Sequence, residues 1–129
     1  MSIKQTTNVN KEIKRGDIYW FDMSLVYSGD RHSIQDGVRP VLIIQNNVGN
    51  HFSSNVIITP VTSRTKKYLP THSEIRNEHL KYDSTVLAEL IFTVPKIDLG
   101  NYVCTVSEKE LNDISNALAV SLALGRTVS

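Results

Sequence analysis

Asp36-Gly37-Val38-Arg39-Pro40-Val41-Leu42-Ile43-Ile44-Gln45-Asn46 carries a loop through a proline into a continuous apolar run and ends that run in two amides. Val56-Ile57-Ile58-Thr59-Pro60-Val61-Thr62-Ser63-Arg64 is built alike, an apolar run that finishes in hydroxyls and a guanidinium. Short apolar runs of this kind, bounded by turn formers, read as strands buried on both faces.

Upstream, Gly16-Asp17-Ile18-Tyr19-Trp20-Phe21 is aromatic and β-branched and predicts a further strand. A polar loop from Ser24 to Val38 follows, longer than most strand connections, and loops of that length commonly carry function. Residues 1–12 lack an apolar period and read as a mobile arm. Downstream, Leu69–Ile75 predicts a shorter strand with Pro70 at its start or on an edge. Ser84–Val94 predicts one long apolar strand, Pro95 the first helical position of a short turn closed by Gly100-Asn101, and Tyr102–Val106 a last strand. Ser107-Glu108-Lys109-Glu110 is a capping box that opens a helix with Leu111, Ile114, Leu118 and Leu122 on one stripe and Gly125 as its stop. Several short strands followed by one packed helix is an α+β arrangement, most simply a small antiparallel β-barrel with a C-terminal helix over its mouth or side. The expected domain spans residues 13–124, with a tail at 125–129.

The chain has 129 residues, enough for one sizeable core, and its 40% hydrophobic and 21% charged composition is that of a globular domain. No apolar run suggests a membrane span and no apolar signal segment opens the sequence, so a cytoplasmic location is expected. The formal net charge of +1 exerts no global pull on a polyanion, which leaves local clusters: Arg64, Lys66 and Lys67, and the scattered Lys14, Arg15, Arg31 and Arg39. The single cysteine, Cys104, sits in a predicted strand and reads as a buried, inert thiol. His32, His51, His72 and His79 lack the spacing that puts two ligands on one face, so no metal site and no cofactor are expected. No glycine-rich phosphate loop, nucleophile elbow or dinucleotide fingerprint occurs either. Taken singly, the first opening block reads better as an ordinary turn beside a strand with a solvated arginine than as a site, and the second block has an equally ordinary reading.

Together, from Lys14 to about Leu124, the chain resembles the MazF/PemK-type toxin endoribonucleases of type II toxin–antitoxin systems. The residues that carry the resemblance are Arg15-Gly16-Asp17-Ile18-Tyr19-Trp20, Gly37-Val38-Arg39-Pro40-Val41-Leu42-Ile43-Ile44-Gln45-Asn46, Thr59-Pro60-Val61-Thr62-Ser63, Leu69-Pro70-Thr71-His72 and the helix end Ala117–Leu124. The resemblance implies an SH3-like barrel of the CcdB/PemK type, a homodimer, cleavage of single-stranded mRNA at short motifs, and inhibition by a MazE-like antitoxin peptide lying in the RNA groove. It assigns cleavage to Arg39 and Thr62 and sets Arg15, Asp17, Gln45, Asn46, Ser63, Arg64 and Glu89 on the RNA side. Many relatives carry glutamine and arginine where this chain has Leu90 and Phe92, which shifts any readout there toward apolar or stacking contacts.

The chemistry agrees with those residue types. RNA supplies its own nucleophile, the 2′-hydroxyl, so a nuclease need only align it with the phosphorus and neutralise the charge of the transition state. An arginine fork donates two parallel hydrogen bonds to phosphate oxygens and stays charged, and a threonine hydroxyl both donates and accepts. Guanidinium is a poor general base, which leaves the base unidentified, with His32, in the loop before Arg39, as a candidate. The expected products are a 2′,3′-cyclic phosphate and a 5′-hydroxyl. Two other functions fit the same fold: a CcdB-like gyrase-binding toxin without nuclease activity, and a binding module with no chemistry.

Overall fold

The computed structural model describes residues 11–26, 37–63 and 68–125. The chain forms the expected α+β body, a curled antiparallel sheet with a helix at its C-terminus. Its strands are β1 (Asp17–Asp22), β2 (Val38–Ile43), β3 (Asn55–Thr62), β4 (His72–Ile75), β5 (Ser84–Leu87), β6 (Phe92–Pro95) and β7 (Tyr102–Thr105). They lie in the order β4-β5-β3-β2-β1-β7, with β6 also beside β3. The helices are α1 (Asn47–Phe52) and α2 (Glu108–Leu122).

Alternation along the strands fills two cores, one on each side of the sheet. Ile18, Leu42, Val61 and Val86 pack with Ile114, Ala117 and Leu118 of α2, whereas Tyr19, Phe21, Val41, Ile43, Val56 and Ile58 meet inside the curl. Each such side chain contributes about 1.5–3 kcal/mol through its removal from water. This is why β2 and β3 read as unbroken apolar runs, since both faces are covered. Gly16 enters β1 at a φ of 97°, a left-handed geometry that side chains resist, and its N–H reaches the Ile43 carbonyl at 2.9 Å.

The single strand expected over Ser84–Val94 is two strands, and β3 explains the break. β5 pairs with the C-terminal end of β3 and β6 with its N-terminal end, leaving a turn at 88–91 between them. Ile44 donates to the Ile57 carbonyl at 2.9 Å, so by alternation position 60 directs its backbone away from β2 and toward β5 and β6. Pro60 has no N–H to offer there. The Thr59 hydroxyl instead donates to the Leu87 carbonyl at 2.6 Å, and Leu90 N–H donates to the same oxygen at 3.0 Å.

Three further expectations change. Pro95 closes β6 and caps the 3-10 turn Lys96–Asp98 rather than opening it, because Lys96 N–H still donates along the ladder to the Ser54 carbonyl at 2.9 Å. α1 stands where the chain was read as leaving a strand, and the Asn46 side chain caps it by accepting from Gly49 N–H at 2.8 Å. The capping box at Ser107 and Glu110 forms, but α2 ends at Leu122 with Ala123 left-handed, short of Gly125. Leu122 is 53% exposed, so the buried stripe stops at Leu118. A helix of 15 residues is about 22 Å long, and β4, the strand it lies against, spans only 4 residues, about 13 Å. Of the expected arm, residues 1–10 lie outside the described residues, and Lys11 is held to Asp17 at 2.6 Å.

Candidate functional site

Strand register brings the two opening blocks together. Val41 pairs with Pro60 at the end of the β2–β3 ladder, and the strand residues just beyond that pair, Pro40 and Arg39 on β2 and Val61 and Thr62 on β3, line one hollow. On the other side of β2, Trp20 pairs with Pro40 and Phe21 with Arg39. A hollow of about 400 Å³ opens at this end of the sheet, and Trp20, Arg39, Thr62, Ser63, Lys81 and Tyr82 are among its lining residues. Leu80, Val61 and Pro40 supply apolar wall, and His79 stands at the rim shared with a second depression beside β7.

The charge of this hollow has one sign. Arg39 and Lys81 line it and no aspartate or glutamate does, among the described residues. Arg39 is partly buried, and no carboxylate among the described residues pairs with its guanidinium, the group suited to a two-pronged grip on a phosphate. The Lys81 ammonium lies 5.4 Å from the Tyr82 ring centroid, a cation–π distance that keeps positive charge at the edge of the hollow. The hollow thus gathers a guanidinium, an ammonium, a hydroxyl and aromatic surface, the group types that a phosphodiester and its base would meet.

Of the residues expected on the RNA side, Arg39, Thr62 and Ser63 line one hollow, and Arg15, Asp17, Gln45, Asn46 and Glu89 are not among its described lining residues. Arg15 donates from Nε to the Ile44 carbonyl at 2.9 Å and from Nη2 to Ser115 Oγ at 3.2 Å, which ties the end of β2 to α2. Asp17 is 1% exposed and accepts from Lys11 Nζ at 2.6 Å, Lys14 N–H at 2.9 Å and Thr105 Oγ1 at 2.7 Å. A buried carboxylate so saturated organises the strand entrance rather than a polyanion. Gln45 Nε2 donates to Asn50 Oδ1 at 3.1 Å and to the Asn55 carbonyl at 3.0 Å, and Asn46 is the cap of α1. Glu89 accepts from Thr71 Oγ1 at 2.9 Å and pairs with His72 Nε2 at 3.1 Å. Burial works to raise the Glu89 pKa, but its own backbone N–H, His72 and Thr71 outweigh burial and hold the carboxyl below its ordinary range. His32 and Arg64 lie outside the described residues.

Sequence reading missed Trp20, His79, Lys81 and Tyr82 as site residues. The legible signal was a polar connector, His79-Leu80-Lys81-Tyr82, that mixes cations with an aromatic ring. Cys104 is buried, and burial first, then Glu110 and Asp17, pushes its thiol up to about 11, so it stays a neutral packing group. Among the described residues, no three His, Cys, Asp or Glu side chains converge in a metal-binding group, and no helix is long and apolar enough to cross a membrane.

Residues 14–122 match the model of the PemK-like, MazF-like toxins of type II toxin–antitoxin systems. The chain belongs to that family. This MazF-like toxin is 39% identical to the endoribonuclease EndoA of Bacillus subtilis over 115 residues, 87% of this chain and 96% of the relative. A mycobacterial endoribonuclease solved in complex with its cognate antitoxin is 30% identical, with a TM-score of 0.73 over 88% of this chain and 98% of that one. MazF of Deinococcus radiodurans, 21% identical, shares the fold at a TM-score of 0.72 over 88% of this chain and 99% of that one.

Proposed function

We propose that this toxin endoribonuclease cuts single-stranded RNA in the hollow between Arg39 and Thr62, by transesterification. The 2′-oxygen of one ribose attacks the adjacent phosphorus and loses its proton to water, the bond from phosphorus to the 5′-oxygen breaks, and that oxygen takes up a proton from water or through Thr62. The products are a 2′,3′-cyclic phosphate and a 5′-hydroxyl. Arg39 donates its fork to the non-bridging oxygens, whose charge grows in the transition state. Thr62 holds an oxygen of the same phosphate or passes a proton to the leaving 5′-oxygen. No protein base is needed to define the site, because the largest contribution of such a pair is alignment and charge stabilisation.

The observation that carries this reading is that two separate strands, β2 and β3, deliver Arg39 and Thr62 to one positively lined hollow. A mycobacterial relative is solved with its cognate antitoxin, and a MazE-like peptide that covers the same hollow is the corresponding inhibitor here. The toxin acts as a homodimer in the cytoplasm, where its mRNA substrate is. The gyrase-binding alternative is disfavoured, since the relatives named above are endoribonucleases. Purified toxin incubated with a defined transcript in excess EDTA tests the proposal. Fragments that end in cyclic phosphate and begin in 5′-hydroxyl support it; intact RNA, or fragments with 5′-phosphate, overturn it.

A further inference from the structure

β1 leaves its largest side chain outside both cores. Ile18, Tyr19 and Phe21 are buried, whereas Trp20 between them is 40% exposed and lines the hollow beside Arg39. Its backbone is held on both groups: Trp20 N–H donates to the Asn101 carbonyl at 3.0 Å, and Gly100 N–H donates to the Trp20 carbonyl at 2.6 Å. The approach is so close that a Cβ on Gly100 would lie 2.8 Å from that oxygen. Tyr82, 58% exposed, reaches the same hollow from the connector between β4 and β5, with the Lys81 ammonium 5.4 Å from its ring centre.

Exposed rings that share a hollow with cations are the components of a groove for single-stranded nucleic acid, in which the cations follow the backbone and the rings stack on bases. An apolar ligand would gain nothing from Arg39 and Lys81, and a free phosphate would gain nothing from the two rings. An unpaired nucleotide uses both. We propose that Trp20 and Tyr82 form a base-stacking subsite for a nucleotide adjoining the scissile phosphate. The inference rests on the RNA-cleaving reading above and names the feature of the substrate, an unstacked base, that the site recognises. Stacking of this kind tolerates base identity, so the subsite adds affinity and selects single strands over duplexes without fixing a sequence.

Trp20 is the chain's single tryptophan, so its emission reports the subsite directly. Full-length toxin is titrated with random-sequence 2′-O-methyl RNA heptamers, which cannot be cleaved because the 2′-oxygen carries no proton, and with abasic heptamers of the same charge. The base-bearing heptamers are expected to quench Trp20 emission and the abasic ones to leave it near its starting level. Trp20→Leu and Tyr82→Ala each weaken binding of the base-bearing heptamer about tenfold. Trp20→Phe, which keeps a ring, restores most of that loss. Equal quenching by the two heptamers overturns the proposal, as does binding by folded Tyr82→Ala within about twofold of the parent. Because the parent toxin's cleavage of RNA is assayed separately, a toxin that cuts RNA but ignores the bases removes this subsite alone, whereas one that does not cut removes the function beneath it.

Discussion

Two depressions on this molecule differ in a way that size misrepresents. The larger, about 640 Å³, lies between β4 and α2 and has Glu74 and Asp113 among its described lining residues, with no lysine or arginine. The smaller, about 400 Å³, gathers Arg39, Lys81 and a threonine with two exposed rings. Among the described lining residues, a polyanion would meet carboxylates in the first and the cations Arg39 and Lys81 in the second, so charge rather than volume marks the candidate site. The same contrast separates two groups of polar residues near the family's matching segments. Asp17, Glu89 and Arg15 have their hydrogen bonds satisfied by protein, while no carboxylate among the described residues pairs with Arg39.

The contrast predicts a steep order of effects. Arg39→Ala should lower single-turnover RNA cleavage by about 10³-fold, as expected for loss of a donor to developing charge. Its thermal unfolding should change by less than about 0.5 kcal/mol, because the side chain supports no core. Arg39→Lys keeps the charge but not the fork and should recover only part of the rate. A folded Arg39→Ala protein with parental cleavage would move the chemistry out of this hollow.

Thr62→Val keeps the shape of the side chain and removes its hydroxyl, and should cost about 10²-fold in the same assay. Thr62→Ser, with the hydroxyl retained, should stay much nearer the parent. If valine and serine variants cut equally well, the hydroxyl has no part in the reaction.

Glu89 should affect stability in a pH-dependent way. Its folded-state pKa is depressed, so its contribution is present above the unfolded carboxyl pKa and is lost as pH falls through the folded value. Melting temperature recorded across the acid range should therefore fall more steeply for the parent than for Glu89→Gln. The variant should melt lower at neutral pH, and matching curves would show that the contacts with Thr71 and His72 contribute nothing.

The smallest effect is expected in the larger depression. Glu74→Gln and Asp113→Asn should change RNA cleavage less than about twofold at physiological salt, since exposed charges away from the bound strand are screened. A large gain in RNA affinity from either would show that the strand also crosses this groove.

Much of the architecture was legible before any coordinates. β1, β2, β3 and β7 announce themselves by β-branched and aromatic runs, and α2 by its capping box, because those signals depend on neighbours close in the chain. The break between β5 and β6 was not legible, because its cause is Pro60, on another strand, whose missing N–H faces that position only after pairing. The end of the buried stripe at Leu118 likewise depended on the length of β4. Of the site, Arg39, Thr62 and Ser63 were named from the resemblance, whereas Trp20, Lys81 and Tyr82 were not, since a ring's exposure is a property of the packed sheet.

The amino-acid order by itself determined β1, β2, β3 and β7, the capped helix, the family and the two residue types suited to an anionic transition state. Only the tertiary structure decided which polar side chains would be consumed as internal partners and which would face an open hollow. The reason is that hydrogen-bond satisfaction and field depend on distances between segments remote in sequence, such as β2 to β3 and β1 to the His79–Tyr82 connector, which exist only once the sheet has curled.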